Sequence, residues 1–241
     1  MEENVDYAEI GKFELLAARW WDRDGSSGPL HHINPVRLEY ISRSIDIASS
    51  TAIDVGCGGG ILTESLAKAG GSITGIDMGE AALTVARLHA LESGLNINYL
   101  LCTAEQAAEE LSGKFDLVVC MELLEHVPDP ASVIRACAHL AKPGAALYFS
   151  TINRNPKAWM LAVLGAEYVL DLLPKGTHDY RKFLTPAELA RHIRAADLTL
   201  EAITGMRYNP FSKTASLDRN VDVNYLIHAS KPLTEEQMNV H

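Results

Sequence analysis

Cysteine is scarce and unpatterned in this chain. Its four copies, Cys57, Cys102, Cys120 and Cys137, form no C-x-x-C pair, so nothing points to a structural zinc or a dithiol centre. Set among apolar neighbours, they read as reduced thiols packed as small hydrophobes. Positive charge is also short: 21 Lys and Arg stand against 31 Asp and Glu, a formal charge of −10. Such a surface repels a polyanion, so no nucleic-acid partner is expected. The opening MEENVDYAEI lacks the basic segment and apolar run of a signal peptide, and the expectation is a cytoplasmic protein. Internal repeats and low-complexity tracts are absent as well.

What is there is a regular alternation. Short β-rich runs, TAIDV, SITGI, INYLL, FDLVVCM and ALYFST, are separated by helical stretches, ILTESLAKAG, EAALTVARLHALESG and PASVIRACAHLAKPG, each with a glycine near its end. Such alternation predicts a parallel sheet covered on both faces. YAEIGKFELLAARWW and NPVRLEYISRSI read as two preceding helices, the second capped by Asn34 with Pro35 at its first position, and DRDGSSGPLHHI reads as the loop between them. Asp129 with Pro130, and Thr185-Pro186-Ala187-Glu188, mark two further helix starts. LTLEAITGMRY and VDVNYLIHAS, with no long crossover between them, should pair antiparallel at a sheet edge. The length of 241 residues suits one domain: N-terminal helices over 1–49, a core over 50–151, a helical insertion over 152–197 and terminal strands over 198–230. The expected α/β fold is a doubly wound, mostly parallel seven-stranded sheet with an antiparallel last strand.

The loop AIDVGCGGGIL places Gly56, Gly58 and Gly60 between the first strand and a helix, where glycine permits a tight turn and close approach of the backbone to a ligand. The second strand ends in GIDMG, placing Asp77 about twenty residues further on, where an acidic side chain reaches ribose hydroxyls. The third glycine of a dinucleotide fingerprint is missing, because its position holds Ile61, and this disfavours a nicotinamide dehydrogenase. After the fourth strand comes CMELLEHVPDP, with Glu122, Glu125 and His126 within five positions. On one helical turn these side chains would share a face. They could then ligate a divalent ion, act as a base or shape a pocket; they could equally be the polar start of a helix.

IDVGCGGG, GIDMG, FDLVVCMELLEHVPDP and LAKPGAALYFST resemble the successive motifs of class I methyltransferases that use S-adenosylmethionine. FELLAARWWD, HHINPVRLEYI, LGAEYVLDLLPKGTHDYRKF and VDVNY extend the likeness over nearly the whole chain and resemble the ubiquinone biosynthesis O-methyltransferase family. That resemblance implies that Gly56 and Gly58 cradle the donor and Asp77 holds its ribose, with Met121 flanking it. It also implies that Arg37 meets its carboxylate, a pairing that suits a guanidinium fork. It implies O-methylation of a polyprenylated phenol or hydroquinone, with Glu122, Glu125 and His126 facing the acceptor. Since eukaryotic relatives look magnesium-dependent through the same motif, it implies Mg²⁺ at those three residues. A C-methyltransferase on a quinone ring, and a cofactor-binding scaffold within a ubiquinone biosynthesis complex, are the alternatives. No N-P-P-Y-like tetrapeptide follows the fourth strand, which disfavours a nucleic-acid methyltransferase.

The insertion segment KAWMLAVLGAEYVLDLLPKG is apolar around most of a helix, with Glu167 and Asp171 as a narrow polar stripe. It is too short and interrupted to span a bilayer. Flanked by Lys157, Lys175, Arg181 and Lys182, the 157–182 stretch reads as a lid over the site, or as a lid that also touches an anionic membrane surface on the cytoplasmic side. His178 reads as a solvated loop residue, with a role as a base for the acceptor as the alternative.

Overall fold

The computed structural model describes residues 3–159 and 180–234. The insertion helix, with Glu167, Asp171, Lys175 and His178, lies outside the described residues.

Eight strands form one sheet: β1 (Thr51–Val55), β2 (Ser72–Asp77), β3 (Asn98–Leu101), β4 (Phe115–Met121), β5 (Ala141–Ile152), β6 (Thr199–Asn209), β7 (Thr214–Asp218) and β8 (Asn224–Ser230). Their order is β3-β2-β1-β4-β5-β8-β6-β7. Pairing from β3 through to β5 is parallel, and β8 lies antiparallel between β5 and β6. The antiparallel partnership of the last two expected runs is therefore present. The edge, however, belongs to β7, an eighth strand that pairs with β6 and was not anticipated.

The described α-helices are α1 (Tyr7–Leu16), α2 (Gly28–Ser42), α3 (Ile61–Lys68), α4 (Glu80–Glu92), α5 (Ala104–Glu110), α6 (Pro130–Leu140), the single turn α7 (Pro156–Trp159) and α8 (Pro186–Ala195). The strand period divides the core between two faces of the sheet. On β4, Val118 and Cys120 join a cluster with Ile134 of α6 and Leu189 of α8, while Leu117, Val119 and Met121 join Ile33 and Ile41 of α2 and Leu66 of α3. Fully buried Phe149 and Tyr148 continue the same division on β5.

Three local readings are corrected. α2 begins at Gly28, not after Asn34, and Pro35 lies inside it. Asn34 turns its side chain away from any capping role and donates to Ser65 Oγ at 2.7 Å and to Ile61 O at 3.3 Å, linking α2 to α3. α5 was missed, although Thr103 and Gln106 form a complete capping box at its start. α6 stops at Leu140, and Gly144 lies within β5. The expected caps at Asp129 and Thr185 are both present, the second with its reciprocal Glu188 bond.

Candidate active site

Strand order reverses between β1 and β4, and the crevice outside the carboxyl ends of these strands is where a doubly wound sheet binds ligands. At the end of β1 the chain turns through Gly56 (φ +76°) and Gly58 (φ +51°), a left-handed backbone that side chains disfavour. A Cβ at Gly58 would meet the Trp20 ring at 2.3 Å, and one at Gly56 would meet Leu123 at 2.9 Å. The loop is pinned to the end of β2: Gly58 N donates to Asp77 Oδ2 at 2.8 Å, and Gly79 N donates to Asp77 Oδ1 at 2.7 Å. Burial raises the Asp77 carboxyl above its ordinary value, opposed in part by these amides. Each carboxylate oxygen retains lone-pair capacity for another donor from the cavity.

Asp54, on β1 itself, went unnoticed in the sequence, although an acid inside the apolar run AIDV was a usable signal. It is buried, accepts a 2.6 Å bond from Thr63 Oγ1, and burial pushes its carboxyl up to about 6. Trp20 is the other omission, a buried ring laid across the glycine loop.

Immediately after β4 the chain leaves the strand through Glu122 at φ +53° and then makes a 3₁₀ turn, Leu124–His126. Glu122, Glu125 and His126 therefore do not sit on one α-helical face as anticipated; both glutamates reach β5, Glu122 also reaches α2, and His126 turns to α1. Glu122 Oε1 accepts from Arg37 Nη2 of α2 at 2.6 Å and from Ser150 Oγ of β5 at 2.7 Å. Buried Glu125 accepts from Thr151 Oγ1 at 2.7 Å, and burial, reinforced by the neighbouring Glu122 charge, holds its carboxyl well above the usual range. His126 Nδ1 meets Glu9 Oε2 of α1 at 3.0 Å, with its ring edge-on to Phe13. Glu9 also takes Lys12 at 2.9 Å and Lys182 at 3.5 Å. Burial raises the Glu9 carboxyl, but His126 and Lys12 outweigh it and bring it down to about 2.

This arrangement does not fit a divalent ion at the three residues. Among the described residues no group of three or more His, Cys, Asp or Glu side chains is gathered to hold a metal. A cation would have to draw Glu122 from Arg37, ionise buried Glu125 and compete with Glu9 for His126.

A cavity of about 880 Å³ is bordered by the eight residues to which the sequence resemblance assigns a place at the donor or acceptor: Arg37, Gly56, Gly58, Asp77, Met121, Glu122, Glu125 and His126. Its size lies toward the upper end of the roughly 300–1,000 Å³ typical of small-molecule sites. Trp20, Asp54 and Glu9 border it too. Arg37 is 5% exposed, and its Nε is buried without a hydrogen-bond partner. A buried guanidinium N–H of this kind calls for an acceptor, and a donor carboxylate supplies one. The orphaned Nε, the glycine turn and the cavity-facing capacity of Asp77 fit the group that the sequence resemblance implies.

Two cations flanking the insertion are turned to internal partners. Lys157 pairs with Asp222 at 2.8 Å, and Lys182 pairs with Asp6 at 2.8 Å as well as with Glu9. No helix among the described residues is long and apolar enough to cross a membrane.

Comparison with known proteins bears on the family and the fold. A family profile described as a methyltransferase domain matches residues 31–203. The chain is 58% identical over 228 residues to a ubiquinone biosynthesis O-methyltransferase of Pseudomonas paraeruginosa, covering 95% of this chain and 98% of that one. It is also 58% identical to the protein of the same name from Hahella chejuensis, covering 97% and 98% of the two chains. Among solved structures, a magnesium protoporphyrin IX methyltransferase from Synechocystis with bound S-adenosylhomocysteine superposes with a TM-score of 0.68 at 19% identity, covering 94% of this chain and all of that one. A methyltransferase from Thermotoga maritima gives 0.65 at 17% identity, covering 92% and 99%. These two likenesses concern the fold.

Proposed function

Since the chain belongs to the ubiquinone biosynthesis O-methyltransferase family, we propose how its cavity carries out the family's reaction. The protein is an S-adenosylmethionine-dependent O-methyltransferase of ubiquinone biosynthesis, and its substrate class is a polyprenylated phenol. The finer reading is that it serves both the polyprenyl-hydroxyphenol step and the demethylubiquinol step. When bound, the donor supplies a methyl group on a sulfonium, which an oxygen nucleophile takes by in-line displacement.

The observation that carries the reading is the convergence of Arg37, the glycine turn, Asp77 and the Glu122–His126 turn on one cavity. Arg37 binds the donor carboxylate through its unpartnered Nε while its Nη2 stays on Glu122. Asp77 accepts from the ribose hydroxyls, and Met121 borders the reacting end. A phenol, with an ordinary pKa near 10, needs help to lose its proton at neutral pH. Of the three polar side chains after β4, Glu125 is buried with its carboxyl held well above the usual range, and Glu122 is engaged by Arg37 and Ser150. We therefore assign the role of base to His126, whose ring borders the cavity and whose Nδ1 meets Glu9.

Incubation of the purified protein with methyl-labelled S-adenosylmethionine and short-chain catechols tests the whole reading. Label on oxygen supports it; label on ring carbon favours the C-methyltransferase, and no transfer favours a scaffold. Contact of residues 157–182 with an anionic bilayer is a separate proposal, tested by flotation with phosphatidylglycerol vesicles. Lys175→Glu is the informative change there, since altering Lys182 also disturbs α1.

A further inference from the structure

An apolar trough lines the cavity between β6 and the first turns of α2, ahead of Arg37 on that helix. The even-numbered side chains of β6 face α2: Thr204 Oγ1 donates to Tyr40 OH at 3.2 Å, and Met206 packs in the same cluster as Ile33. Tyr208 follows, stacked on His32 with ring planes 14° apart. Met206, Tyr208, Pro210 and Phe211 on this side, with Leu30 and Ile33 opposite, all border the cavity that reaches Met121. The one polar tip among them, the Tyr208 hydroxyl, is already paired with His32 Nδ1 at 2.9 Å. The trough ends at Phe211, which is 89% exposed at the tip of the β6–β7 hairpin.

The outer wall is built in advance. Asn209 Oδ1 accepts from Phe211 N at 2.9 Å and from Ser212 N at 3.3 Å, which fixes the turn. Lys213 Nζ pairs with Asp24 Oδ1 at 2.6 Å and ties the hairpin tip to the loop before α2. An aromatic ring held in solvent beside an apolar cavity lining is placed to cover part of a ligand that leaves the cavity.

We propose that this trough between β6 and α2 binds the polyisoprenoid tail of the acceptor, and that the tail leaves the protein over Phe211. The inference rests on the O-methyltransferase reading of the same cavity. The occupant follows from chemistry: a tail without hydrogen-bonding groups needs continuous apolar wall from the ring outward, and its path must start where the acceptor oxygen meets Met121 and Glu122. Every buried methylene then adds about fourfold in affinity.

The test compares kcat/KM for a tailless catechol and for the same catechol bearing one or two isoprenoid units. It is run without lipid, at concentrations where the tailed compound stays monomeric. The wild type should favour the tailed substrate by about tenfold or more. Leu30→Asn and Phe211→Ser should each lower that ratio several-fold, whereas Leu91→Ser, an exposed leucine on α4, should keep it. Phe211 is so exposed that its replacement leaves folding intact, so one variant remains informative if Leu30→Asn does not fold. A wild-type ratio near one, or an undiminished ratio in Phe211→Ser, overturns the proposal. An effect of Phe211→Ser that emerges only when vesicles are added overturns it too and assigns Phe211 to a bilayer contact. If the wild type methylates neither catechol, the O-methyltransferase reading itself fails, and the trough falls with it.

Discussion

Glu125 and Glu122 are three positions apart yet behave as different chemical groups. The first is buried, which favours its neutral form, while the second is matched to a guanidinium. Glu125→Gln replaces a neutral carboxyl with a neutral amide of the same shape, so stability should change by less than about 1 kcal/mol and most turnover should survive. Turnover should likewise persist in excess EDTA. Loss of activity in both experiments, with recovery of the wild type on adding Mg²⁺, would show that the three residues regroup around an ion. For Arg37→Met, the KM for the donor should rise by roughly 10- to 100-fold, the worth of hydrogen bonds to a charged group. His126→Gln should lower kcat by about 10²- to 10⁴-fold toward a phenolic acceptor. The identities of these residues were legible in the sequence because a glycine turn, an acid at the end of the next strand and the motif after β4 each have a mechanical reason to be where they are. Their partners were not. Glu9 lies 117 positions from His126 and Arg37 lies 85 from Glu122, and no local pattern encodes pairings at that range.

Helix α1 joins the site through a cluster of charges. Glu9 bonds to His126 while Asp6 and Glu9 hold Lys182, so α1 links the turn after β4 to the segment leading into α8. The folded Glu9 carboxyl is brought from its ordinary 4.5 down to about 2. A depressed carboxyl stabilises the fold fully above 4.5 and loses that contribution as pH falls toward 2. Thermal unfolding of the wild type and Glu9→Gln should therefore differ near neutrality and converge across that acid window. A gap that stays constant down to the lower end would contradict the account. At α8, Thr185→Ala removes a capping box and should cost about 1 kcal/mol, or roughly 2–4 °C in Tm. Elements with strong periodicity or caps could be read from sequence. Helix α5 escaped because AEQAAEE offers no apolar stripe long enough to see, and α2 was started late because Asn34-Pro35 imitates a helix start. Asn34 is polar for another reason, its bonds to α3.

At the scale of the molecule, the proposed donor site draws on separate elements, Arg37 from α2, the glycine turn after β1 and Asp77 from β2, so a bound donor should tie them together. S-Adenosylhomocysteine at about a hundred times its Kd should stabilise the folded state by about 2.7 kcal/mol, a Tm rise of roughly 5–10 °C. In Arg37→Met the same concentration should give a markedly smaller rise. The parallel half of the sheet was visible in the sequence as apolar runs alternating with helices. The arrangement of the last three strands was only partly visible, because pairing partners depend on which edge each strand finds, and SKTASLD is too polar to stand out as β7.

The strand order has one further consequence. β8 is the last strand along the chain yet occupies an interior position, with Tyr225, Leu226, Ile227 and Ala229 fully buried. A ribosome delivers β6 and β7 first, and neither has a place beside β5 until β8 follows. During synthesis the nascent sheet therefore waits with an open edge at Phe149, where another chain could dock. A chain stopped at residue 219 should remain in that state and aggregate, so synthesis of β8 closes the sheet.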